Sequence, residues 1–142
     1  MAQPLSALLA GPVVLDWDAF MAPAAALAGR DIRASRQTWP AYRELVQAIA
    51  ATVATVPVVL FTVATPDELD GLTTRTWTLL DCSDEQRRQR LHADGRGNDC
   101  DSAIIDAREY RKLGLPVIDT TTQTPTLTAA ELADFVLRNE RT

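Results

Sequence analysis

Asp16-Trp17-Asp18 places two carboxylates one residue apart at the end of a β-branched apolar run, Pro12 to Asp16. Carboxylates so placed can accept hydrogen bonds from a substrate hydroxyl or hold a metal-bound water. The structural alternative is that Asp18 caps the following helix while Asp16 bonds loop amides. Arg87, Arg88 and Arg90 form a second group, followed by Arg96 in the turn Gly95-Arg96-Gly97-Asn98. The planar guanidinium matches phosphate oxygens, and several on one segment could close over a transferring phosphoryl group. Their alternative is a solvated helix face paired with Asp84, Glu85 and Asp94. Arg30, Asp31, Arg33 and Arg36 lie where a substrate clamp would sit, and read equally well as a wet loop. His92, the single histidine, falls on a charged stretch and reads as a surface residue. No G-x-S-x-G elbow, H-E-x-x-H helix or Cys/His pairing is present, so hydrolase and zinc chemistry have no support.

These residues need strands and helices to hold them. Pro12 to Asp16 (PVVLD) and Pro57 to Val63 (PVVLFTV) predict strands, the second apolar on consecutive positions as expected for a strand covered on both faces. Tyr42, Leu45, Val46, Ile49 and Val53 recur at spacings of three and four, which predicts a helix over 39–53. Thr65-Pro66-Asp67-Glu68, Ser83-Asp84-Glu85-Gln86 and Thr128-Ala129-Ala130-Glu131 each carry a capping signature and predict helix starts. Thr76 to Leu80 and Leu115 to Ile118 read as two further strands, and Ser102 to Leu113 as a helix stopped by Gly114. Alternation of this kind predicts an α/β fold of three layers, a mostly parallel sheet of about four strands with helices on both faces. In such a sheet ligands bind outside the carboxyl ends of the strands, which singles out Asp16 and Asp18, Thr65, Asp81 and Ser83, and Asp119 to Thr122.

Composition sets the outer limits. The chain of 142 residues predicts one domain, 1–142, large enough for a core of its own. Fourteen basic against nineteen acidic residues give a formal charge of −5, which argues against a nucleic-acid partner. The longest apolar run, Val56 to Phe61, is far below the roughly 20 residues that span a bilayer, and the amino terminus has no basic leader. Cys82 and Cys100 form no metal-type pair and read as reduced thiols, so the expected setting is the cytoplasm.

Taken together, VVLDWDAF (13–20), VPVVLFTVATPDEL (56–69), LLDCSDEQRRQRL (79–91) and LPVIDTTTQTP (115–125) resemble the P-loop nucleoside and nucleotide kinase-like proteins, often described as AAA-type ATP-binding proteins. The resemblance runs from Gly11 onward and rests on the order and spacing of the segments. It implies an ATP-dependent transferase acting on a small-molecule phosphoryl acceptor, with ATP and Mg²⁺ as cofactors. By the same resemblance Arg87, Arg90 and Arg96 would contact nucleotide phosphates, and Thr120, Thr121 and Thr122 would flank the base. Asp16 and Asp18, with Arg30 and Arg33 of the neighbouring loop, would face the acceptor. The family's GxxxxGK followed by Ser or Thr is absent, and Lys112 is the only lysine. No Asp or Glu stands in FTVATP (61–66), and Asp94 occupies a position where the family tends to carry arginine.

Pro4 to Gly11 resembles the tail of the helix that follows the missing loop. The expectation is therefore a domain without its first strand, the central one in the family order 2-3-1-4-5. That leaves either a gap between the second and third strands of this chain or direct pairing across it, and an exposed strand edge open to self-association. Three readings follow: an ATP-dependent phosphotransferase-type domain whose activity the loss of the phosphate loop would abolish or nearly abolish, a non-catalytic ligand-binding or protein-interaction module on the same fold, or a standalone α/β protein that resembles the kinases only in fold pattern.

Overall fold

The computed structural model describes residues 5, 8, 11–53, 55–69 and 76–139. The chain divides into two units, Met1–Arg75 with Ala133–Thr142, and Thr76–Leu132.

In the first unit, β1 (Val13–Asp16) leads through a 3₁₀ turn, Trp17–Phe20, into α1 (Met21–Ala28). Gly29 ends α1 at φ 64°, a left-handed position that costs glycine nothing and leaves its N–H on the Ala25 carbonyl. The long amphipathic helix α2 (Trp39–Thr52) begins with Pro40 in its first turn, where a missing N–H is harmless, and buries Tyr42, Val46 and Ala50. Next comes β2 (Val58–Phe61), parallel to β1 with Val13 opposite Val58. The helix predicted from Thr65 is a 3₁₀ turn, Pro66–Leu69, although the capping signature is partly formed: Glu68 Oε2 accepts from the Thr65 amide at 2.8 Å. Residues 70–75 lie outside the described residues, as does most of the Pro4–Gly11 segment, of which Leu5 is buried.

The second unit repeats the parallel pairing. β3 (Leu79–Asp81) pairs with β4 (Val117–Asp119), and between them run α3 (Asp84–Ala93) and α4 (Cys100–Lys112). Ser83 caps α3 as its signature predicts, with Oγ accepting from the Gln86 amide at 3.1 Å. Gly114, at φ 66°, follows α4 as expected. The signature at Thr128 does not start a helix. The helix α5 (Pro125–Asn139), whose residues from Ala133 on are counted in the first unit, begins earlier, and it is Thr124 whose hydroxyl accepts from the Leu127 amide at 3.3 Å. Thr128 is instead buried in the first turns, its hydroxyl on Gln123 Oε1.

The predicted three-layer fold is not what forms. Among the described residues the strands make two separate two-stranded parallel sheets, β1 with β2 and β3 with β4, and β2 and β3 are not partners. A run of apolar residues identifies a strand but says nothing about which strand lies beside it. Nor are the strands covered on both faces: β1, β2 and β3 are half-buried throughout, and β4 alternates, with Ile118 buried between exposed Val117 and Asp119. No helix among the described residues is long and apolar enough to cross a membrane.

Candidate functional site

The ends of β1 and of the β3–β4 pair gather most of the residues singled out above, each within its own unit. At β1, Asp16 closes the strand and turns the chain: its Oδ1 accepts from the Asp18 amide at 3.0 Å, capping the 3₁₀ turn. Asp18 is no helix cap, since α1 has no side-chain cap, and its Oδ2 instead meets Arg33 Nη2 at 3.1 Å. Both partners are about half exposed, so the pair adds little stability. Asp18, Arg30, Asp31 and Arg33 rim an open cavity of about 550 Å³ floored by Met21, Ala22 and Ala25 of α1. It is a depression open to solvent, with an apolar floor and a charged rim. Asp16, kept to the backbone, is not among the lining residues.

Behind the carboxylates stands an aromatic cluster. The Tyr42 ring meets Trp17 edge-on at 5.0 Å, Trp39 lies 6.4 Å from Trp17, and the Tyr42 hydroxyl donates to the Trp17 carbonyl. Burial, then the charges of Asp18 and Asp16, push the Tyr42 hydroxyl up to about 12, with Arg33 opposing. The phenol thus stays protonated and acts as a donor that fixes the peptide between the two carboxylates. Replacing Tyr42 by phenylalanine keeps the ring but strands that carbonyl, which should cost about 1–2 kcal/mol. Urea unfolding of the variant measures this, and an unchanged midpoint would mean that the carbonyl has another donor.

At the carboxyl ends of β3 and β4 the chain is tied by its own hydrogen bonds. The Thr120 amide and hydroxyl both donate to the Asp81 carbonyl, at 2.7 and 2.9 Å. The Thr121 hydroxyl donates to Asp119 Oδ1 at 2.6 Å and accepts from the Ser83 amide at 2.9 Å, joining the end of β4 to the cap of α3. The Thr121 hydroxyl, and then its amide, both donating to the carboxylate, hold the Asp119 carboxyl below the usual carboxylate range. From α3, Arg90 reaches back to Thr120, with Nη1 on its hydroxyl at 3.1 Å and Nη2 on its carbonyl at 2.5 Å. Arg87 Nη2 lies 2.7 Å from Asp81 Oδ1. Arg96 is paired within its own turn, with Asp99 at 3.0 Å, and Thr122 is exposed.

Sequence reasoning missed the residue that binds this region together. Arg111, in the last turn of α4, places Nε on Asp81 Oδ2 at 2.6 Å and Nη2 on Asp81 Oδ1 at 3.1 Å. Its Nη1 meets Asp84 Oδ1 at 2.8 Å and its Nη2 also reaches the Cys82 carbonyl at 2.9 Å. Arg108, one turn earlier, adds a contact to Asp84 Oδ2 at 3.0 Å. Burial opposes ionisation of Asp81, but the hydrogen bonds from Arg111 and the Cys82 amide and the charges of Arg111 and Arg87 hold its carboxyl below the ordinary value. Asp84 is likewise lowered, by Arg111 and then Arg108, and Arg111 is raised in turn. The only available signal was the spacing of Arg108 and Arg111 on one face of a helix, which indicates a shared neighbour without naming it.

The fit to ATP and Mg²⁺ is partial. Arg87 is engaged by Asp81 and Arg90 by Thr120, and Lys112 Nζ is held by Glu109 at 2.6 Å and supplies no phosphate lysine. The described residues hold no group of three or more His, Cys, Asp or Glu that could bind a metal ion, and Asp81 is engaged by two guanidiniums, so no residue is assigned to Mg²⁺. Compared with protein-family models, curated proteins and solved structures, the chain matches none.

Proposed function

We propose that this chain is a phosphotransferase-type domain of the nucleoside and nucleotide kinase-like kind, binding the phosphates of a nucleotide through Arg87 and Arg90. The observation that supports the reading is the return of Arg90 from α3 onto Thr120, which joins two of the residues that the resemblance links to a nucleotide, at the carboxyl ends of two parallel strands. In the first unit, the cavity rimmed by Asp18, Arg30 and Arg33 supports a small-molecule acceptor site. Phosphoryl transfer depends on positioning and charge stabilisation, so a chain with no phosphate loop and no free phosphate lysine is expected to bind better than it turns over. The two free, buried thiols support a reducing, cytoplasmic setting.

A second reading, a non-catalytic ligand-binding or interaction module, is favoured by one observation: Arg87 is already engaged by Asp81. Calorimetric titration with ATP, with and without Mg²⁺, tests the first reading. Saturable binding at micromolar concentration, weakened about tenfold or more by Arg90→Ala with folding unchanged, is the expected result. No heat up to millimolar ATP would overturn the nucleotide reading and leave the second.

A further inference from the structure

Asp81 is the carboxylate on which two arginines converge, and they hold it unequally. Its side chain is 13% exposed. Arg111 grips it with a two-pronged fork, Nε on Oδ2 and Nη2 on Oδ1, and is itself anchored by Asp84 and the Cys82 carbonyl. Arg87 makes one contact, Nη2 on Oδ1, and its Nε is buried with no hydrogen-bond partner. The network counts three guanidiniums, of Arg87, Arg108 and Arg111, against two carboxylates, of Asp81 and Asp84. One positive charge is therefore in excess, and Arg90 beside it rests on neutral oxygens of Thr120.

We propose that Arg111 is a positioning residue that keeps Asp81 neutralised, so that Arg87 can leave Asp81 and take a phosphate oxyanion with its Nε and Nη2. This rests on the phosphate role given to Arg87 above. When Arg87 departs, Asp81 keeps its fork from Arg111, and no carboxylate is left unpaired in a mostly buried place. The idle Nε gains an acceptor, because a phosphate offers the paired oxygens that one Asp81 oxygen does not. Without Arg111, Asp81 would depend on Arg87 alone, and the arginine would be withheld from the ligand. The ordinary structural alternative is that Arg111 simply braces α3 and α4.

Two probes, inorganic triphosphate and ATP, titrated calorimetrically into the full chain separate these. Arg111→Gln should weaken triphosphate binding about tenfold or more, and Asp81→Asn in that background should restore it to within about threefold of the parent chain. Asp81→Asn alone should tighten binding. Arg111→Lys, which keeps the charge but loses the fork, should fall between, and serves if Arg111→Gln melts below the working temperature. Binding that survives Arg111→Gln overturns the proposal, as does a loss that Asp81→Asn fails to restore, since a brace is not repaired by removing a second charge. Triphosphate bound with this pattern, but ATP not bound, would retain the role of Arg111 and reject the nucleotide reading. No binding of either probe overturns both.

Discussion

Replacing Trp17 by alanine is expected to lower the unfolding free energy by about 3–5 kcal/mol, the range for deleting a large buried aromatic. Trp17 is 2% exposed, meets the Tyr42 ring edge-on and lies beside Trp39. The substitution removes both ring contacts and leaves a void, while the carbonyl that accepts from Tyr42 remains in the chain. Urea unfolding followed by circular dichroism measures the change. Leu27→Ala is the matched control: Leu27 is 90% exposed, and its loss should stay within about 0.5 kcal/mol. A Trp17 variant that loses no more than the control would mean that the aromatic cluster does not support the first unit.

The second unit should be acid-sensitive. Asp81, Asp84 and Asp119 are all held below the ordinary carboxylate value in the folded chain, so each ionises more readily folded than unfolded. A depressed folded value contributes stability that is present above the unfolded pKa, about 3.9, and is lost as pH falls through the folded value. Stability of the unit is therefore expected to be flat above about pH 5 and to decline from about pH 4 downward. Amide exchange of α3 and α4, corrected for intrinsic rates, should show the decline, and Arg111→Gln should flatten it by removing the main cause of the shifts at Asp81 and Asp84. A decline equally steep in that variant would place the acid sensitivity elsewhere.

Legibility followed how local each signal is. The apolar stripe of α2, the Ser83 cap of α3 and the Gly114 stop after α4 act within a few residues, and they stand where the spacing put them. Helix α1 carries no periodic signal, because Met21–Ala28 is almost all alanine on its apolar positions and no stripe distinguishes one face from another; only the cap reading of Asp18 implied a helix there. Thr128 misled because a threonine three residues before a glutamate reads as a cap whether it begins a helix or is buried in one. Strand existence was readable from β-branched runs, but the partner of β2 was not, since pairing is decided by chain far away in sequence. The same holds at the sites. Asp18, Arg30 and Arg33 could be placed near one another because they flank one short helix, whereas the hold of Arg111 on Asp81 crosses 30 positions and leaves no mark in either segment.

The parallel pairing of both sheets also bears on how quickly the chain can find its fold. Among the described residues no strand is joined to its partner by a hairpin: Thr78 and Pro116, at the mouth of the β3–β4 pair, are 38 positions apart, and the Tyr42 bond that fixes the end of β1 spans 25. Each ladder must wait for a long loop to close, with the closure entropy lost before the first strand bond forms. Helices α2, α3 and α4 can form early from local interactions, while β1 and β3 stay unpaired until distant chain arrives. Folding should therefore be slower than for a helical bundle of this size, in the range of mixed or strand-rich domains, with helix signal preceding the burial of Trp17.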